Sequence, residues 1–100
     1  MNTAYSFIKD YIPLRNALKT RSNEEFMIVS NRNGDIYYLN GIACEMWNML
    51  DGNITVEGLC AKILGEYEVD REILEGDIVS FIRDMQWKRL IRLRMGGLIS

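Results

Sequence analysis

Side chains able to carry chemistry are sparse in this chain of 100 residues. It has no histidine, so it lacks both the usual general base near neutral pH and the commonest metal ligand. Its two cysteines, Cys44 and Cys60, stand sixteen positions apart with no CxxC pair, a spacing that does not suit a zinc site. Cys44 as a nucleophile would need a base that histidine cannot supply here, so a structural thiol is expected. The adjacent Glu24 and Glu25 read as surface charge. Asp77 and Asp84, one heptad apart, read as a solvated helix face. Gly96-Gly97 precedes no helix and builds no phosphate loop. These patterns give no catalytic residue, no metal ligand and no cofactor, so a non-enzymatic role is expected. The one uneven feature is charge: Arg83, Lys88, Arg89, Arg92 and Arg94 crowd one C-terminal stretch.

Composition bounds the rest. One hundred residues make one domain with a modest core. An apolar fraction of 48% excludes disorder. A net charge of −2 gives no whole-molecule attraction for nucleic acid or anionic membrane. No run of about 20 apolar residues exists to span a membrane. The N-terminus offers only the apolar pair Phe7-Ile8, which is no signal peptide. Unpaired thiols fit a cytoplasmic location.

The elements that must position any site follow from periodicity. A helical reading of residues 1–13 puts Ala4, Ile8, Tyr11 and Ile12 on one face, stopped by Pro13, as an N-terminal arm. Residues 14–21 alternate imperfectly and read as a first strand. Ser22-Asn23 is turn chemistry. Residues 25–30 are β-rich and read as a second strand. Asn33-Gly34 marks a tight hairpin whose two central residues need positive φ. Residues 35–39 are then a third strand, with Tyr37 on the face of Leu39 and Tyr38 on that of Ile36. Inward burial of Leu39 would make Tyr38 the residue of the two that faces a groove.

Asn40 is the expected N-cap of a helix over 41–50, with Ile42, Met46, Trp47 and Leu50 on one face and Gly52 closing it. Trp47 continues that face and reads as core rather than ligand contact. Thr55 caps a helix to Tyr67, in which Gly58 costs about 1 kcal/mol against alanine. Asp70 caps the longest helix, to Lys88, where Leu74, Ile78, Phe81, Ile82 and Met85 keep the 3.6 period. Residues 90–95 read as a short strand or a ragged end, and 96–100 as a flexible tail. The order βββααα over residues 14–95 predicts a winged-helix-like α+β domain, a three-stranded antiparallel sheet followed by three helices.

Several segments taken together resemble one family. Tyr38-Leu39-Asn40, Ala43, Trp47, Leu50-Asp51-Gly52, Thr55-Val56, Tyr67-Glu68-Val69, Asp77-Ile78 with Phe81 and Met85, and Leu90-Ile91 are similar, in order and spacing, to the PqqD family. The resemblance runs from about residue 14 to 93. It implies a recognition element for ribosomally made, post-translationally modified peptides. Such a domain binds the leader of a precursor by β-augmentation of the third strand beside the third helix. It presents the peptide to a modifying enzyme such as a radical SAM protein or a leader peptidase. The site it implies here is Ile36, Tyr37, Tyr38, Leu39, Asp77, Phe81, Asp84, Met85 and Lys88. An exposed strand edge fits that mode physically, because its free N–H and C=O groups are a template for another strand.

Some points stay open. Asp77 reads either as a leader contact or as a surface or capping residue. Arg83 and Lys88 read either as partners of leader carboxylates or as members of surface ion pairs worth about 0–1 kcal/mol each. The basic stretch 88–94 departs from the family pattern and suits either an acidic leader or the partner enzyme. The alternatives are a winged-helix nucleic-acid binder, which −2 net charge opposes, and a protein–protein or oligomerisation module. Monomer or weak dimer is the expected state, with no membrane partner.

Overall fold

The computed structural model describes residues 3–23 and 26–95. Glu24, Glu25 and the expected tail at 96–100 lie outside the described residues. The order is α1 (Thr3–Ile8), β1 (Tyr11–Arg15), β2 (Lys19–Ser22), β3 (Phe26–Ser30), β4 (Ile36–Asn40), α2 (Gly41–Met49), α3 (Val56–Glu66), α4 (Arg71–Trp87) and β5 (Ile91–Met95). The fold is α+β: a three-stranded antiparallel sheet, β2-β3-β4, precedes the three longer helices.

The expected first strand over 14–21 is in fact two strands in two sheets. β1 pairs antiparallel with β5, and β2 pairs with β3. Between them Asn16 N–H donates to the Leu90 carbonyl at 2.8 Å and Leu18 N–H to that of Ser30 at 2.8 Å, so the chain crosses from one sheet to the other there. The Asn16–Leu90 bond also fixes the alternation of the β1-β5 ladder. It leaves Pro13, opposite Leu93, at a position where no ladder N–H is needed. Pro13 therefore sits inside a strand rather than ending a helix. Residues 90–95, left open between strand and ragged end, supply β5.

Helix ends follow mostly from their caps. Thr55 Oγ1 accepts from Gly58 N–H at 3.0 Å, and the Asp70 carboxylate accepts from Glu72 N–H at 3.3 Å. Asn40 occupies the N-cap position of α2, but its side chain makes no capping bond. Gly52 does not close α2 as expected. The helix stops at Met49, and Gly52, at φ +86°, belongs to a separate turn in which Asp51 Oδ1 accepts from the N–H of Asn53 and Ile54. α4 ends in a Schellman motif: Leu90 N–H reaches the Met85 carbonyl and Arg89 N–H that of Gln86, with Arg89 at φ +59°. This reversal points the chain into β5.

The core is a single cluster. Met27, Val29 and Leu39 from the inner sheet face meet Met46, Trp47 and Leu50, Leu59 and Ile63, and Ile78, Ile82 and Met85 from the helices. Trp47 is 1% exposed, with the Arg15 guanidinium 5.9 Å from its ring centre, so the core reading holds. Both cysteines are free; Cys60 is buried and Cys44 half-buried.

The first helix is tied down by one buried phenol. Tyr5 donates to the Glu57 carboxylate, which also accepts from Arg71, itself paired with Glu75 at 2.8 Å. The Tyr5 hydroxyl, and after it the Arg71 guanidinium, hold the Glu57 carboxyl below its ordinary value of 4.5. A depressed acid contributes stability above its unfolded pKa and loses it as pH falls through the folded pKa. Tyr5→Phe should therefore lower the melting temperature at about pH 6, and the gap from wild type should shrink by about pH 3. Thermal melts across that range check this, and a gap independent of pH would contradict it.

Candidate functional site

Among the described residues β4 lies at the edge of its sheet and pairs with β3 alone. Its turn is a hairpin as expected, though of a different type. Gly34 has φ +90°, but Asn33 is not in the left-handed region. Gly34 N–H donates to the Asn31 carbonyl at 3.2 Å and Asn31 N–H to that of Asp35 at 3.0 Å, giving a longer loop that ends on one left-handed glycine. The Asn31–Asp35 bond sets the alternation along the ladder. Tyr37 and Leu39 direct their N–H and C=O groups toward β3; Ile36, Tyr38 and Asn40 direct theirs to the open side.

The side chains alternate the other way. Leu39 is 2% exposed in the core and Tyr37 half-buried beside it, whereas Ile36 and Tyr38 are 66% and 69% exposed on the outer face. The condition attached to Tyr38 at the sequence level, inward burial of Leu39, is met. Tyr38 leans on Phe26, ring centres 5.5 Å apart.

Next to the open edge runs a groove of about 390 Å³ between β4, α2 and α4. Leu39, Ala43, Met46, Phe81 and Met85 make an apolar floor, and Asp77, Ser80, Asp84 and Lys88 a polar rim along α4. Seven of the nine residues expected at the site line this groove: Tyr38, Leu39, Asp77, Phe81, Asp84, Met85 and Lys88. Tyr37 lies just behind it, under Lys88, whose ammonium is 5.0 Å from the ring centre. Ile36 opens onto a separate hollow on the outer sheet face.

Sequence reasoning missed the contribution of α2 and the rim serine. Ile42 was expected on the core face; it is 46% exposed and lines the groove, as do Asn40, Ala43 and Ser80. A signal existed for Ile42. Its position directly after the strand places it in the first turn of α2, beside the end of β4, before the helix reaches the core.

Charge along the rim is acidic. Lys88 is held by Asp84 at 2.8 Å, one helical turn away, while Asp77 has no ion-pair partner among the described residues. Arg83 faces the other side of α4, lining a hollow with Ala4, Phe7 and Ile8. Arg89, Arg92 and Arg94 do not line the groove, and Arg94 donates to the Gly52 carbonyl at 3.2 Å. Among the described residues no cluster of three or more His, Cys, Asp or Glu gathers to hold a metal ion. No helix of the described residues is long and apolar enough to cross a membrane.

No curated protein matches the chain. A solved structure does: that of TbiB1 in complex with the TbiA(beta) leader peptide, with 22% identity and a TM-score of 0.70 over 87% of this chain and 98% of that one. The likeness is one of fold. The family model described as coenzyme PQQ synthesis protein D, PqqD, matches residues 25–91, from the start of β3 to the start of β5 and across the whole groove. On that match, the chain belongs to the PqqD family.

Proposed function

We propose that this domain captures the leader of a ribosomally made precursor peptide and presents it to the enzyme that modifies it. The observation that carries the reading is the open edge of β4, facing outward with paired donors and acceptors beside an apolar groove against α4. An extended peptide docked there would bond with Ile36, Tyr38 and Asn40 through its backbone. Alternate side chains would drop onto the floor of Leu39, Met46, Phe81 and Met85. Family membership and a neighbour solved with a leader peptide support the same mode.

The rim refines what the peptide offers. With Lys88 already engaged by Asp84 and Tyr37, its charge is largely spent. Asp77 then favours a cationic or hydrogen-bond-donating side chain between two apolar ones. The domain does no chemistry itself and needs no cofactor. It works in the cytoplasm, where free Cys44 and Cys60 stay reduced, as a monomer or weak dimer.

The direct test is a titration of the full ¹⁵N-labelled chain with synthetic leaders of any short precursors found encoded beside its gene. Saturable amide shifts concentrated in residues 36–43 and 77–88 are expected. Binding that leaves both segments unmoved would place the site elsewhere, and absence of binding would remove the function.

A further inference from the structure

The outer face of the three-stranded sheet holds a second feature, apart from the groove between β4, α2 and α4. By register, Lys19, Ser30 and Ile36 form one row across the sheet, and Arg21, Ile28 and Tyr38 form another. The two ladders thus form a shallow hollow of about 760 Å³ with an aliphatic and aromatic centre and two cations along the β2 side. Ile36 and Tyr38 are among the most exposed large apolar residues of those described. Neither Lys19 nor Arg21 has an ion-pair partner among the described residues, and no carboxylate is among the described residues lining the hollow. Exposed apolar side chains flanked by cations without partners suit a protein surface that brings apolar groups to the centre and carboxylates to the rim.

We infer that this face docks the peptide-modifying enzyme, through a surface of that enzyme with an apolar centre and carboxylates opposite Lys19 and Arg21. The identity of the partner rests on the peptide-capture reading of the groove. Charge decides between occupants. A second copy of this chain, face to face, would bring four cations together around the same apolar centre. Nucleic acid would meet only two cations, on a chain of net charge −2, and would leave Ile28 and Ile36 without matching chemistry. An acid-rimmed protein surface satisfies both the cations and the aliphatic centre.

Geometry also couples the two sites. Tyr38 lines both the groove and the outer hollow. A peptide added as a fourth strand would turn every second side chain to the outer face, next to Ile36 and Tyr38. An enzyme seated there would touch domain and peptide together, with the peptide's free end at its surface.

The test uses the double variant Lys19→Glu/Arg21→Glu in the full chain, with circular dichroism as the check on folding. Two affinities are measured: for the fluorescein-labelled leader by anisotropy, and for the purified enzyme encoded beside the precursor by interferometry. The expected result is leader affinity within twofold of wild type and enzyme affinity at least tenfold weaker. Wild-type enzyme binding should also weaken as salt rises. Unchanged enzyme affinity in the variant overturns the docking surface and leaves peptide capture standing. A wild-type domain that ignores the leader, yet loses the enzyme on charge reversal, overturns peptide capture and leaves the docking surface. A dimer in sedimentation, or binding of a 20-nucleotide single strand, that charge reversal abolishes would assign the face to another occupant and overturn the inference.

Discussion

Asn31→Leu is expected to destabilise the fold by about 3 kcal/mol. Asn31 is 1% exposed and its side chain makes four bonds. Nδ2 donates to the Asp35 carboxylate at 3.0 Å and to the Lys88 carbonyl at 2.9 Å; Oδ1 accepts from the N–H of Asn33 at 2.9 Å and of Asp35 at 3.0 Å. One amide thus closes the β3-β4 loop and clamps it to the C-terminal end of α4. Leucine has the same branched outline but no polar atom, so the groups it abandons keep their desolvation cost without a partner, about 1–3 kcal/mol for each that stays buried. Some of the cost is relieved, since Asn33 and Asp35 are exposed and can turn to water. Asn31→Asp keeps the acceptor but loses the donor and sets a charge beside Asp35, so it should cost nearly as much. Urea unfolding of both variants measures this. A loss below about 1 kcal/mol in each would mean that water replaces the amide at its own site. Because the clamp ends at Lys88, both variants should also loosen one end of the groove.

Asn31 could not be found in the sequence, and the reason is instructive. Its value lies in a partner 57 positions away, and no local pattern marks a buried asparagine. The same limit explains the misread first strand. Alternation through residues 14–21 is nearly continuous, but β1 finds its partner in β5 at the far end of the chain. Periodicity reports faces, not partners. Where the partner is local, more of the reading holds: the β3-β4 hairpin, the caps at Thr55 and Asp70, and the buried face of α4 all follow from neighbours within a few residues, although Asn40 makes no capping bond and Gly52 does not close α2. The groove falls between these cases. Its α4 rim and β4 edge came through the family resemblance. Its α2 wall did not, because Met46 carries the same apolar spacing whether it fills a core or floors a groove. Only Ile42, exposed against its helical pattern, betrays the difference.

Tyr38→Pro should weaken strand addition severely while leaving the domain folded. The alternation set by the Asn31–Asp35 bond turns the Tyr38 N–H away from β3, so a proline there removes no ladder bond. Its stability cost should stay near 1 kcal/mol, from the lost contact with Phe26 and the narrowed φ. For an incoming peptide the change is severe. One donor is gone, and the ring's Cδ fills the space in which the peptide carbonyl would sit, so bonds on either side lengthen too. Two or three backbone bonds at about 1 kcal/mol each predict a loss near a hundredfold in leader affinity. Tyr38→Val separates backbone from side chain: it keeps the N–H, loses the same ring, and should weaken the leader less than tenfold. Tyr37→Pro inverts the pattern, since the Tyr37 N–H points into the ladder, and should cost about 3 kcal/mol in stability. Calorimetric titration and urea unfolding of the three variants decide the matter together. Equal leader affinity for Tyr38→Pro and Tyr38→Val would mean that the peptide is held by side chains alone. The open edge of β4 would then have no part in capture.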